Sequence, residues 1–177
     1  MILPDNPQGI DVSYWQDYSP HLAGLSFAFA RATVGLSVDG TYGMHRRDIR
    51  KAGIILGAYH YLVYGPSGPR QAALFYSTVA DANILALDVE STALKYPTVA
   101  MSFLTTLRRL DHGHRKILLY SSDGTWPGNI GQDANWVANY SQEPVRNWRF
   151  WQYSGTTLDK DVFNGTLHEL RTFAGVK

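Results

Sequence analysis

The 177-residue sequence predicts one α/β domain whose strands close into a barrel. Three observations point there. Apolar strand-like runs alternate with helical segments over the first two-thirds of the chain. The strand-like runs number eight. Carboxylates fall at strand ends, where β/α barrels carry their chemistry.

Gly9 to Ser13, Gly-Ile-Asp-Val-Ser, is a short buried strand. Ser26 to Thr33 is the second, with small residues alternating. Tyr42 to Ala52 is a basic helix ended by Gly53 at its C-cap. Ile54 to Leu62 is the third strand, Pro66 to Pro69 a turn and Arg70 to Ala80 a helix. Asn83 to Glu90 is the fourth strand. Tyr96 to Asp111 is an amphipathic helix with Val99, Phe103, Thr106, Leu107 and Leu110 on one face. Lys116 to Ser121 is the fifth strand, and the Gly-, Pro- and Asn-rich segment Asp123 to Gln132 is a loop. Ala134 to Tyr140, Arg149 to Tyr153 and Asp159 to Val162 are three more strands with no clear helix between them. Leu167 to Phe173 is a terminal helix. The expected fold is an irregular TIM-like (β/α) barrel of eight strands, five in β/α units and three final strands lacking full helices. No linker or repeat divides residues 1–177, so a single catalytic-type domain is expected.

Composition narrows the function classes. Hydrophobic residues make up 45% and charged residues 18%, a balance that folds rather than stays disordered. A net charge of +1 gives no electrostatic reason to expect nucleic acid or a membrane surface as partner. No apolar run approaches the ~20 residues of a membrane span. The opening Met1 to Gln8 lacks the basic and apolar regions of a signal peptide, so synthesis in the cytoplasm is expected; the protein is separately expected to be a monomer. The absence of cysteine excludes a thiol nucleophile and thiolate metal sites. No His-x-x-x-His helix, Gly-x-Ser-x-Gly elbow or phosphate-binding loop occurs, and no cofactor is implied. His60, inside a strand, reads as a packed histidine; His112 and His114, flanking Gly113, read as solvated.

Asp88-Val89-Glu90 is the most informative triplet. It follows the apolar run Ile84-Leu85-Ala86-Leu87 of a buried parallel strand. Side chains alternate along a strand, so Asp88 and Glu90 share one face. Burial and mutual repulsion should raise the pKa of one of them, which suits glycoside hydrolysis: one carboxyl protonated, one ionised. Glu90 is the better acid candidate, being further out with the longer reach. Two other readings stand beside this one: Asp88, Glu90 and Ser91 capping the segment that follows, or a divalent ion held by Asp11, Asp88 and Glu90. Asp11, in the first strand, and Asp159, at the start of the last, complete the strand-end acids.

Seven motifs in order match one family. Gly9-Ile10-Asp11-Val12-Ser13-Tyr14-Trp15-Gln16 looks like its opening signature, and Phe29-Ala30-Arg31-Ala32-Thr33-Val34-Gly35 its second-strand motif. Gly57-Ala58-Tyr59-His60-Tyr61 and Leu87-Asp88-Val89-Glu90 follow. Trp136 to Tyr140, Phe150 to Ser154 and Leu158 to Gly165 complete the set. On these motifs the sequence resembles glycoside hydrolase family 25, the Chalaropsis-type lysozymes of bacteria, fungi and phages. The resemblance implies a barrel lacking some helices and hydrolysis of the β-1,4 bond between N-acetylmuramic acid and N-acetylglucosamine in peptidoglycan glycan strands. It implies Glu90 as general acid, Asp88 as its partner, and Asp11 and Asp159 as the remaining acids. Arg31 stands where the family has Lys, Val34 where an acid is common, and Asp161 where Asn is frequent. Asp159 takes the fourth acid position by register, with Asp161 two residues away on the same face.

Two mechanisms fit the triplet. In one, the substrate's 2-acetamido oxygen attacks the anomeric carbon and Asp88 orients that group. Neighbours on one strand face lie ~7 Å apart at Cα, which suits an acid and a helper. In the other, Asp88 or Asp11 activates water across a carboxyl gap of ~6.5–9.5 Å, with inversion. Arg31, Tyr61, Tyr120, Trp136, Tyr140 and Gln152 are the expected sugar-binding residues, with core packing an alternative for Tyr120 and Trp136. A non-catalytic peptidoglycan-binding barrel and a hydrolase of another N-acetylated polymer are the rival functions. The expected place of action is the cell wall, as a phage endolysin, a virion lysozyme or a domain of a longer protein.

Overall fold

Eight strands close into a barrel in the computed structural model, which describes residues 5–16 and 18–176. The chain runs β1 (Gln8–Val12), β2 (Phe27–Val34), β3 (Ser37–Val38), α1 (Tyr42–Lys51), β4 (Ile55–Tyr61), α2 (Gly68–Thr78), β5 (Ile84–Asp88), α3 (Pro97–Asp111), β6 (Lys116–Ser122), β7 (Ala134–Ala138), β8 (Phe150–Ser154), β9 (Asp159–Phe163) and α4 (Leu167–Phe173). The order is β1-β9-β8-β7-β6-β5-β4-β2-β3, and pairing of β1 with β2 closes the ring. The two-residue β3 pairs only with β2 and stands outside the eight barrel strands.

The irregular barrel expected from the sequence is what forms, with differences in detail. Among the described residues, helices follow the second, third and fourth barrel strands, and the short α4 follows the last, so three of the five expected β/α units carry one. Among the described residues no helix joins the first strand to the second, and the fifth passes on through a three-residue 3₁₀ turn. The final strand β9 runs antiparallel to both β8 and β1. Without a crossover helix after β8, the chain returns directly, and a direct return is antiparallel. The buried stripe of α3 is Ala100, Phe103, Leu104, Leu107 and Asp111, so Thr106 and Leu110 lie beside it rather than in it. The expectation about the N-terminal segment falls partly on residues 1–4, which lie outside the described residues.

Strand alternation divides the core in two. Leu85, Leu87, Ile117 and Leu119 face outward and pack with Phe75, Phe103 and Leu107 of α2 and α3. Phe27, Phe29, Ile84, Ala86, Leu118, Trp136, Phe150 and Phe163 fill the barrel itself. Rings this large fit because two glycines on neighbouring strands make room. A Cβ on Gly57 would lie 2.1 Å from the Phe29 ring, and one on Gly9 would lie 2.3 Å from the Phe27 ring. Phe29 stacks on Trp136 at 4.4 Å between centroids and meets Phe150 edge-on at 5.2 Å. This aromatic plug makes the barrel solid below and leaves chemistry only at its mouth.

His60 is fully buried and accounted for. Thr33 Oγ1 lies 2.7 Å from its Nδ1, Gln71 Oε1 lies 3.0 Å from its Nε2, and Phe103 stacks on its ring. Burial lowers its pKa to about 4, against a raising effect of Gln71. It is a neutral structural residue that ties β4 to α2. His112 and His114 are exposed, with His112 in a left-handed conformation at the end of α3.

Candidate active site

The interior-facing positions that carry aromatic rings low in the barrel carry acids at its mouth. On β5 the series is Ile84, Ala86, Asp88; on β9 it is Asp159, Asp161, Phe163. Because β9 runs antiparallel, its first residue lies at the mouth, and Asp159 pairs directly with Asp11 of β1. Asp161 lies one layer lower, fully buried, with Oδ1 accepting from Trp136 Nε1 at 2.7 Å. The register thus places Asp159 in the cleft and Asp161 beneath it.

Strand β5 ends at Asp88, so Glu90 lies just past the strand. The extension is held: Val89 N donates to Tyr120 O at 3.0 Å and Ser121 Oγ donates to Val89 O at 2.8 Å. Glu90 keeps extended backbone (φ −136°, ψ 174°) and precedes a 3₁₀ turn, Ser91–Lys95, without a capping bond from its side chain. The capping reading therefore lacks its hydrogen bond at Glu90.

All ten nominated residues line one cleft of about 250 Å³: Asp11, Asp88, Glu90 and Asp159 with Arg31, Tyr61, Tyr120, Trp136, Tyr140 and Gln152. They differ in depth. Trp136 (1% exposed), Tyr120 and Gln152 form a buried floor, so Trp136 is a core ring beneath the cleft rather than an open platform. Tyr140 is 60% exposed and stands at the rim. Gln152 is the hub: its Oε1 accepts from Tyr120 OH at 2.8 Å and Tyr140 OH at 2.6 Å, and its Nε2 donates to Asp11 Oδ2 at 2.7 Å. The two phenols fix which way the amide points, and the amide orients Asp11.

Three further residues line the cleft without having been nominated: Ser13, Tyr59 and Trp15, the last 71% exposed. Trp15 belongs to the opening motif, but an exposed ring on a loop has no period to betray it. Asp39 escaped notice as well. It accepts from Arg31 Nε at 2.8 Å, from Tyr14 N, and from Thr41 N and Oγ1. Burial works to raise the Asp39 pKa, but the Thr41 and Arg31 bonds outweigh it and hold the carboxyl below its ordinary value. Asp39 pins Arg31, whose guanidinium also lies over the Tyr14 ring.

The acids raise one another. Burial and then the charge of Asp159 push Asp11 up to about 8, partly opposed by the Gln152 bond. Burial, then Glu90, then Asp11 hold Asp88 well above the carboxylate range, with Arg31 pulling the other way. Glu90 is raised by burial and by Asp159, and Asp159 by burial. Asp88 is 5% exposed, and its Oδ1 is buried with no hydrogen-bond partner. Among the described residues no group of three or more His, Cys, Asp or Glu is arranged to hold a metal ion.

Carboxyl groups of different depth and raised pKa, gathered at the mouth of a barrel between aromatic walls, define a glycoside hydrolase site. The sequence profile of glycosyl hydrolases family 25 matches residues 10–162. Lysozyme M1 of Streptomyces globisporus is 30% identical over 208 residues, covering 94% of this chain and 71% of that protein. The uncharacterised protein YegX of Escherichia coli K12 is 32% identical over 201 residues, covering 96% and 74%. A family 25 glycosyl hydrolase from Bacillus anthracis shares the fold with a TM-score of 0.84 at 23% identity, over 98% of this chain and 96% of that one. A muramidase from Trichobolus zukalii does so at 0.81 and 24%, over 95% and 98%. The chain belongs to glycosyl hydrolases family 25, and it is a peptidoglycan hydrolase of the lysozyme type.

Proposed function

We propose that the protein is an N-acetylmuramidase that cleaves the β-1,4 bond between N-acetylmuramic acid and N-acetylglucosamine, with Glu90 as general acid. The observation that carries this reading is the unequal pair on one strand face. Glu90 is partly open to the cleft, and Asp88 is sealed just below it with an unpartnered Oδ1.

That inequality assigns the proton. Before substrate binds, burial raises both carboxyls. An acetamido N–H laid against Asp88 Oδ1 stabilises the Asp88 carboxylate and leaves the proton on Glu90. The oriented acetamido oxygen attacks the anomeric carbon while Glu90 protonates the departing oxygen, and the C–O bond breaks. Water then opens the cyclic intermediate, returning a proton to Glu90. Asp11, held by Gln152, and Asp159 flank the reacting sugar, and Arg31 steadies the charge on Asp88. On this reading the protein acts as a monomer on the glycan strands of the bacterial wall.

Glu90→Gln is expected to remove the release of reducing ends from bacterial walls by at least 10³-fold, the scale of losing a general acid with its positioning. Near-wild-type release by Glu90→Gln would remove Glu90 from the mechanism. Mass spectrometry of the products must show N-acetylmuramic acid at the new reducing end. Anomer-resolved NMR must show it as the β-anomer at first; an early α-anomer would replace substrate assistance with inversion.

A further inference from the structure

A second hollow, of about 350 Å³, adjoins the acid cleft and shares only Tyr61 and Glu90 with it. Its other walls include Tyr64, Ser91 and Thr92. Glu90 therefore stands at the junction of two spaces, one holding the other three acids and one holding none of them.

The position of Glu90 gives the second space a meaning, which rests on Glu90 being the general acid. A general acid must touch the oxygen it protonates. The sugar that keeps the anomeric carbon lies over Asp11, Asp88 and Asp159. The sugar that leaves with the protonated oxygen lies across Glu90 from them. We propose that the hollow is the leaving-group subsite, that it takes the N-acetylhexosamine departing with the new 4-hydroxyl, and that the Tyr64 ring is the platform for its apolar face.

The platform is built in advance. Tyr64 is 54% exposed, yet its ring stacks on Tyr96 at 3.8 Å between centroids and 16° between planes. Tyr96 lies at the start of the fifteen-residue helix α3. The loop that carries Tyr64 is clamped by Gln71 of α2. Its Oε1 accepts from Val63 N at 3.1 Å, and its Nε2 donates to Val63 O and Pro66 O, both at 3.0 Å. Gln71 is itself fully buried and bonded to His60. An open aromatic with both its ring and its backbone fixed loses little freedom when a sugar lands on it. Ser91, which also lines the hollow, holds a left-handed φ of 50°, a strained conformation for a residue with a side chain. That turn sends the chain from Glu90 into the 3₁₀ segment whose exposed Ser91 and Thr92 line the hollow.

The test compares Tyr64→Ala and Tyr64→Phe with wild type on soluble, uncrosslinked wall glycan, reading kcat/KM, its pH profile and Tm. Tyr64→Ala is expected to lose about tenfold in kcat/KM, the scale of one ring-stacking contact. Its pH profile should stay in place because the acids are untouched, and its Tm should fall by no more than about 5 °C, the loss of one exposed ring pair. Tyr64→Phe keeps the ring and should restore activity to within about twofold. Tyr64→Ala within twofold of wild type would overturn the subsite, and so would Tyr64→Phe as impaired as Tyr64→Ala. Failure of the underlying reading looks different: Glu90→Gln would then retain wild-type release on the same glycan.

Discussion

Replacing Asp11 by Asn should stabilise the protein at neutral and alkaline pH while it damages catalysis. Asp11 is 5% exposed, and burial with the Asp159 charge raises its pKa from 3.8 to about 8. The folded state then holds a proton that the unfolded chain releases. A group with a raised folded pKa contributes its full stability below its unfolded pKa and loses it as pH rises through the folded one. The window is therefore pH 4 to 8. Across about four pH units at 1.36 kcal/mol each, Asp11 costs up to ~6 kcal/mol. Asp159 and Asp161 titrate against it and share that cost, so ~3 kcal/mol is the lower expectation for the single substitution. Asn keeps an oxygen to accept from Gln152 Nε2 and offers an N–H toward the neighbouring acids. Urea denaturation of both proteins at pH 4.5 and pH 8, at equal ionic strength, measures the effect. The stability advantage of Asp11→Asn at pH 8 should exceed that at pH 4.5, which already lies inside the window, by ~2–4 kcal/mol, or roughly 4–16 °C in Tm for a chain of this size. Two stability curves that stay parallel within about 1 kcal/mol would refute the claim that Asp11 is held protonated by the fold.

Other outcomes follow from the same geometry. Activity should fall as pH rises through the raised Glu90 pKa, because only the protonated form can donate; a rate that keeps climbing beyond pH 9 would contradict the assignment. Asp39→Asn breaks a largely buried ion pair and frees Arg31, so stability should drop by ~3 kcal/mol in chemical denaturation, with at least a tenfold loss of kcat/KM. Gly57→Ala drives a methyl group into the Phe29 ring and should cost ~1–3 kcal/mol. Its control is Gly43→Ala on the exposed side of α1, where nothing lies within 4 Å of a new Cβ and a gain of ~0.5–1 kcal/mol is expected.

Local pattern made much of this legible. The apolar run before Asp88 declared a buried strand, and alternation alone put Asp88 and Glu90 on one face. The helix ending at Gly53 was readable because a glycine with φ of 71° has a local physical reason. The five-unit count was not legible. That count outruns the pattern: helical segments are readable only after the second, third and fourth strands, and Pro20 and Gly24 interrupt any helical run between the first two. Trp136 illustrates another limit. Its motif marked it as part of the site, but a tryptophan beneath a cleft and one lining it carry the same letters.

The sequence by itself determined the strand faces, the order of the motifs and the family they define, because those depend on neighbours within a few residues. Tertiary structure decided what those faces meet. The antiparallel return of β9 brings Asp159 opposite Asp11 across nearly the whole chain and drops Asp161 beneath it. Barrel closure turns four separate acids into one mutually repelling cluster, and only that closeness, in a space drained of water, raises their pKa values. The platform at Tyr64 exists for the same reason: a ring stack and a buried glutamine from two different helices hold a loop that no local pattern would have fixed.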